Sequence, residues 1–180
     1  MTRKLSAPEI EFNEIMRDGD PVSALAFEAV QRFSLSFSLL EAKLLGCDSS
    51  QGDSGEYATN FINQDLVNFE LLSAVYVYNH FKNRYATSED GYRKYQSLCR
   101  DRGGKLESPV FAILRSDFPD TNEMLKSCLY IAFRLRNNLF HGPKWLNDIE
   151  KQACNLNAVS HLLQDILHRS RDGGIWNEYE

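Results

Sequence analysis

The sequence predicts an all-α protein, a bundle of four to five main helices, and three observations carry that prediction. Apolar residues recur with a helical period along nearly the whole chain, while alternating, strand-like runs are scarce. Start and stop residues punctuate it at helix-like spacings, with Asp, Ser and Pro opening segments and Gly closing them. Small polar residues make two loops, 47–56 and 101–109, and no internal repeat or second domain is visible. At 180 residues, 43% hydrophobic and 25% charged, the chain can fill one core.

Residues 1–20 are polar and mixed, an N-terminal arm or short helix. The stretch "DPVSALAFEAVQRFSLSFSLLEAKLLG" opens on Asp20 as an expected N-cap, with Pro21 at the first helical position and Gly46 at its end. An aromatic-rich helix is expected from about residue 58 to 84, and Ser88 caps a shorter one running through Leu98. A brief turn at Phe111–Arg115 leads to Asp120 or Thr121, either of which can cap a helix over 121–141. The last helix covers about 147–169. The expected organisation is an arm (1–20), a helical domain (21–170) and a tail (171–180).

Composition excludes several classes. No apolar run reaches the roughly 18 residues of a membrane span, so no membrane partner is expected. The start, "MTRKLSAPEIEF", has no apolar segment of a secretory signal, and a reducing cytoplasm is the expected compartment. The four cysteines, Cys47, Cys99, Cys128 and Cys154, show no CxxC spacing, and Cys128 and Cys154 read as small core residues. His161 and His168 share a helix face but read as surface histidines, so no metal site is assigned. A net charge of −5 argues against broad nucleic-acid binding and requires any such role to sit in a local positive pocket.

The stretch "YIAFRLRNNLFHGPKW" (130–145) holds the chemistry. With helical residues advancing about 100° each, Leu125, Cys128, Leu129, Ala132, Leu135 and Leu139 form an apolar stripe. Arg136 falls only about 20° from Leu125, inside that stripe. A guanidinium there needs a carboxylate, a ligand or a wet cleft. On the first long helix Ala26, Val30, Phe33, Phe37, Leu40 and Leu44 share a face, and Glu41 falls on it, about 40° from Phe37. The expectation is that Glu41 and Arg136 meet, the carboxylate holding the guanidinium fork. That pair can be a scaffold device or part of a site.

His141 points about 140° away from Arg136 on a regular helix. Either the helix unwinds before Gly142-Pro143, or a second chain completes any shared site. The residue can equally be a C-cap donor or a proton-transfer group.

The string "RNNLFHG" (136–142) resembles the R-x4-6-H motif of the HEPN superfamily, with the polar residue that follows the arginine present as Asn137. The early helix "FSLSFSLLEAKLLG", with Glu41 amid apolar residues, is similar to that family's first helix, and the likeness covers about Pro21 to Arg169. The resemblance implies an HEPN-like bundle and a metal-independent RNA endonuclease with no cofactor. It implies a homodimer whose motif helices face one another across the active site, acting as a toxin or in defence against phage. An antitoxin or other regulatory protein is then a further partner. His141 would be acid or base toward the RNA 2′-hydroxyl and the 5′-oxygen, and Arg136 would stabilise the phosphorane. Asn137 would hold phosphate or orient His141, and Glu41 would fix Arg136. Arg134, Asn138 and Lys144 would contact the RNA, with Trp145 as a wall for a base. One position departs: where toxins silenced by nucleotidyltransferase antitoxins have a tyrosine two residues after the histidine, this chain has Pro143.

The competing reading is a non-catalytic helical module that binds a protein partner or a nucleotide in the same cleft. Tyr76, Tyr78, Phe81, Tyr85, Tyr92 and Tyr95 could stack on bases, yet their helical spacing suits a core or an interface. Trp176 and Tyr179 in the tail suit docking on the bundle or on a partner.

Overall fold

Where the first long helix begins is decided by side chains that satisfy its backbone. Ser23, in extended conformation at φ −72° and ψ 156°, accepts from the Ala26 amide through its hydroxyl at 3.2 Å. The helix therefore starts at Ala24, not at Pro21 as the sequence suggested. The reason lies one residue earlier. The Asn13 side chain exchanges two hydrogen bonds with the Val22 backbone, at 2.9 and 3.0 Å, and holds that residue outside the helix.

In this computed structural model the described residues are 3–15, 21–45, 72–99, 109–141 and 145–176, with backbone alone for Leu72, His141 and 145–148. Among them are seven helices and no strand. These are α1 (Ala7–Ile15), α2 (Ala24–Leu40), α3 (Leu72–Tyr85), α4 (Glu89–Cys99), α5 (Pro109–Arg115), α6 (Thr121–His141) and α7 (Trp145–Asp172). A π turn, Glu41–Leu45, continues α2. None of these helices is long and apolar enough to cross a membrane. Asp20, Gly46 and residues 58–71 of the expected aromatic helix lie outside the described residues.

The expected caps of α4 and α6 are present. Ser88 accepts from the Gly91 amide. Asp120 accepts from the Glu123 amide at 2.8 Å while Glu123 reaches back to the Asp120 amide, a reciprocal capping box. Gly91 has a packing reason: a Cβ there would lie 2.7 Å from the Arg84 carbonyl, so only glycine lets α4 approach the end of α3.

The core sits around α6, which packs against α3, α4, α5 and α7. All six residues of its expected stripe are buried, and so are Ile131, Phe133 and Arg134. From α2, Ala26, Phe33, Phe37 and Leu40 enter the same core, and Phe37 meets Phe133 edge-on at 5.1 Å. Val30 and Leu44 are half-buried. Among the aromatics weighed for base stacking, Tyr78, Phe81, Tyr85 and Tyr95 are core, Tyr92 packs on Phe111, and Tyr76 is exposed. Burial pushes the Tyr85 hydroxyl up to about 12 and raises the Cys128 thiol as well.

Cys154 corrects the sequence reading. It lies on α7 in a seven-residue row with His161 and His168, and that row faces solvent. Cys128 alone of the two is core.

The first and last described segments are tied to the bundle. Phe12 of α1 packs edge-on against Phe27 at 5.4 Å, and Arg3 donates to the Ala24 carbonyl. Beyond α7, Gly174 adopts φ +69°, and the Ile175 amide turns back to the Ser170 carbonyl. This places Trp176 to donate its indole N–H to the Ser170 hydroxyl at 3.1 Å.

Candidate functional site

Two helices bring the chemistry together. On α2 and the first residue of the π turn that continues it, Ser34, Phe37, Ser38 and Glu41 stand at i, i+3, i+4 and i+7, one helical row. On α6, Arg136 and Phe140 stand at i and i+4. Where the two rows meet they line an open cavity of about 290 Å³.

Arg136 and Glu41 form the ion pair expected from the two helical wheels, with Nη2 to Oε1 at 3.3 Å. The guanidinium fork is shared: its Nη1 donates to the Asn137 side-chain amide oxygen Oδ1 at 3.2 Å. The ring centroids of Phe37 and Phe140 each lie 6.0 Å from its central carbon, within cation–π range. Side-chain exposure is 30% for Arg136 and 18% for Glu41, so the charge is held at the cavity wall and reaches solvent. A partly desolvated cation fixed by a carboxylate, an amide and two rings is pre-oriented for an incoming anion.

Glu41 is the first residue of the π turn, and its amide bonds to both the Phe37 and the Ser38 carbonyls. Two residues on, Lys43 lies 5.6 Å over the Trp176 ring. The end of α2 thus faces the cavity at Glu41 and the C-terminal segment at Lys43.

Two other residues expected at the site, Arg134 and Asn138, lie elsewhere. Arg134 is 4% exposed, and its Nε and Nη2 donate to the Leu98 carbonyl at 3.3 and 3.2 Å. Asn138 donates to that same oxygen at 3.1 Å. Both side chains cap the C-terminus of α4, whose last carbonyls lack helical partners. Arg134, expected to contact RNA, is thus placed as a buried cap of α4, and Asn138 faces α4 with it. His141 closes α6, which runs unbroken through it, so the helix does not unwind before that residue. Its side chain, the Trp145 side chain and all of Lys144 lie outside the described residues.

Ser34, Ser38 and Phe140 were not picked out from the sequence. The rule that placed Glu41 beside Phe37 also puts Ser34 and Ser38 on that face, so the signal was present in "FSLSFSLLE". Among the described residues no cluster of three His, Cys, Asp or Glu side chains is placed to hold a metal ion. Comparison with protein-family models, with curated proteins and with solved structures finds no match to the chain.

Proposed function

We propose that this chain is an RNA endonuclease of the HEPN type, working without a metal ion as a homodimer, in a toxin or phage-defence role. The observation that carries the reading is Arg136. It stands at an open cavity, oriented by Glu41 and Asn137, five residues before a histidine on one unbroken helix. RNA supplies its own nucleophile. A base removes the proton of the 2′-hydroxyl, the oxygen attacks phosphorus, and the 5′-oxygen leaves with a proton from an acid. His141 takes one of these proton transfers, and Arg136 balances the charge that grows on the phosphorane oxygens. Products are a 2′,3′-cyclic phosphate and a 5′-hydroxyl, and DNA is not cut.

The continuity of α6 supports a shared site. Arg136 and His141 diverge by about 140° on a regular helix, so the two reach one phosphate most easily when a second copy contributes one of them. The two-fold arrangement also doubles the local positive charge of a chain whose net charge is −5. A regulatory protein such as an antitoxin fits the same role.

The test is cleavage of RNA by the purified protein in EDTA, with His141→Ala as the control. Loss of cleavage in the variant, with folding intact, is expected. Undiminished cutting removes His141 from the mechanism. Binding of RNA or nucleotide without any cutting by the unaltered protein favours the non-catalytic module instead.

A further inference from the structure

The ion pair does not explain the rest of the cavity lining. Phe140 is 55% exposed and lines the cavity, although the same helix buries Leu139 and Leu135 beside it. Ser34 and Ser38 add two hydroxyls one turn apart, and each can donate and accept. A bare anion would use the guanidinium and the hydroxyls and leave most of the exposed Phe140 ring uncovered. A purely apolar ligand would sit badly against Glu41 and Arg136. An aromatic face, a planar cation and ambidextrous hydroxyls around about 290 Å³ suit a flat heterocycle with polar edges.

We propose that the cavity is a nucleobase subsite, in which one base of the bound strand stacks on Phe140 and turns its edge to Ser34 and Ser38. This rests on the ribonuclease reading, since it places the base next to the phosphate engaged by Arg136. Stacking is tolerant of base identity because every base has a π-face. Hydroxyls that donate and accept add little discrimination. The subsite therefore favours the presence of a base over its absence, and Phe140 sets affinity more than sequence preference.

The experiment is calorimetric titration of the full chain at low salt with the four nucleoside 5′-monophosphates and with ribose 5-phosphate. The unaltered protein should bind the monophosphates about 5- to 150-fold more tightly than ribose 5-phosphate, the contribution of one base stack. Phe140→Ala should erase that advantage, the monophosphates then binding no better than ribose 5-phosphate does to the same variant, while Phe140→Tyr should retain it. Ser38→Ala should weaken monophosphate binding a few-fold, about the loss of one neutral hydrogen bond. No measurable monophosphate binding, equal affinity for ribose 5-phosphate, or an intact advantage in folded Phe140→Ala overturns the proposal. Gel filtration alongside covers the competing use of the ring. If Phe140→Ala turns a dimer into a monomer and the base advantage persists, Phe140 is a subunit contact and the subsite falls.

The two readings fail separately. A base advantage without RNA cleavage in EDTA leaves the subsite and removes the nuclease. Cleavage with unchanged KM in Phe140→Ala leaves the nuclease and removes the subsite.

Discussion

Arg134 and Arg136 stand two residues apart on α6, about 200° from one another around the helix. Arg134 is 4% exposed, and its guanidinium is turned onto the carbonyl that ends α4. Arg136 retains 30% of its side-chain surface, pairs with Glu41 and lines a cavity. The difference lies in what each leaves for a ligand. A main-chain carbonyl and a closed core occupy Arg134, so its charge serves the assembly of helices. A carboxylate and an amide restrain Arg136 without sealing it off, and its charge faces the opening.

The largest effect that can break this contrast is on catalysis. Arg136→Ala should lower RNA cleavage by roughly 10²- to 10³-fold, the scale of losing one donor to a developing oxyanion. Its stability should change by less than about 1 kcal/mol, as befits a partly exposed pair. Rates under single-turnover conditions and urea midpoints on the same samples read both quantities. Arg134→Ala should invert the pattern. Removing buried donors from the Leu98 carbonyl and emptying their space should cost about 2–4 kcal/mol of unfolding free energy. Activity per folded molecule should stay near that of the unaltered chain; a fall matching that of Arg136→Ala would end the distinction.

Glu41→Gln sharpens the contrast further. The amide keeps shape and an acceptor but drops the charge that orients the guanidinium, so cleavage should fall by about tenfold, the equivalent of about 1.4 kcal/mol. A lowered melting temperature with unchanged cleavage would make the pair a scaffold element like Arg134.

The smallest effect concerns a third arginine, Arg3, exposed and paired with Glu9. The Arg3 guanidinium, and after it the Ser6 amide, hold the Glu9 carboxyl at about 2, below its ordinary 4.5. A folded-state value below the unfolded one means that stabilisation is complete above about 4.5 and is lost as pH falls towards 2. Amide exchange of α1 should therefore accelerate across that window beyond its intrinsic pH dependence. Arg3→Ala should abolish most of that extra acceleration.

The contrast between the two arginines was only half legible in the sequence. Arg136 announces itself because it interrupts an apolar stripe, and the same wheel puts Glu41 on the facing helix. The ion pair follows from periodicity alone. Arg134 reads as a cation for RNA, because its observed partner is a backbone carbonyl of a helix 36 residues earlier, and main-chain groups leave no trace in residue types. Asn138 escaped for the same reason. The start of α2 was displaced because Asn13 satisfies Val22 from another helix, which no local propensity encodes. Cys154 was misplaced because a lone small residue fits either face of α7. The cavity itself arises where two helices meet, so its row on α2 was readable but its depth and its exposed Phe140 were not.

The π turn at the end of α2 carries a consequence for length variation. A widened turn spends more residues per revolution than an α turn, so whatever follows it falls out of phase with the rows before it. Glu41 stands at the change of rhythm, still in step with Ser34 and Ser38, while Lys43 already belongs to the shifted part. Excising one residue between 42 and 45 would retune the anchorage of Trp176 and leave the cavity row in step. On one side of that change Glu41 serves Arg136, and on the other Lys43 serves the Trp176 ring.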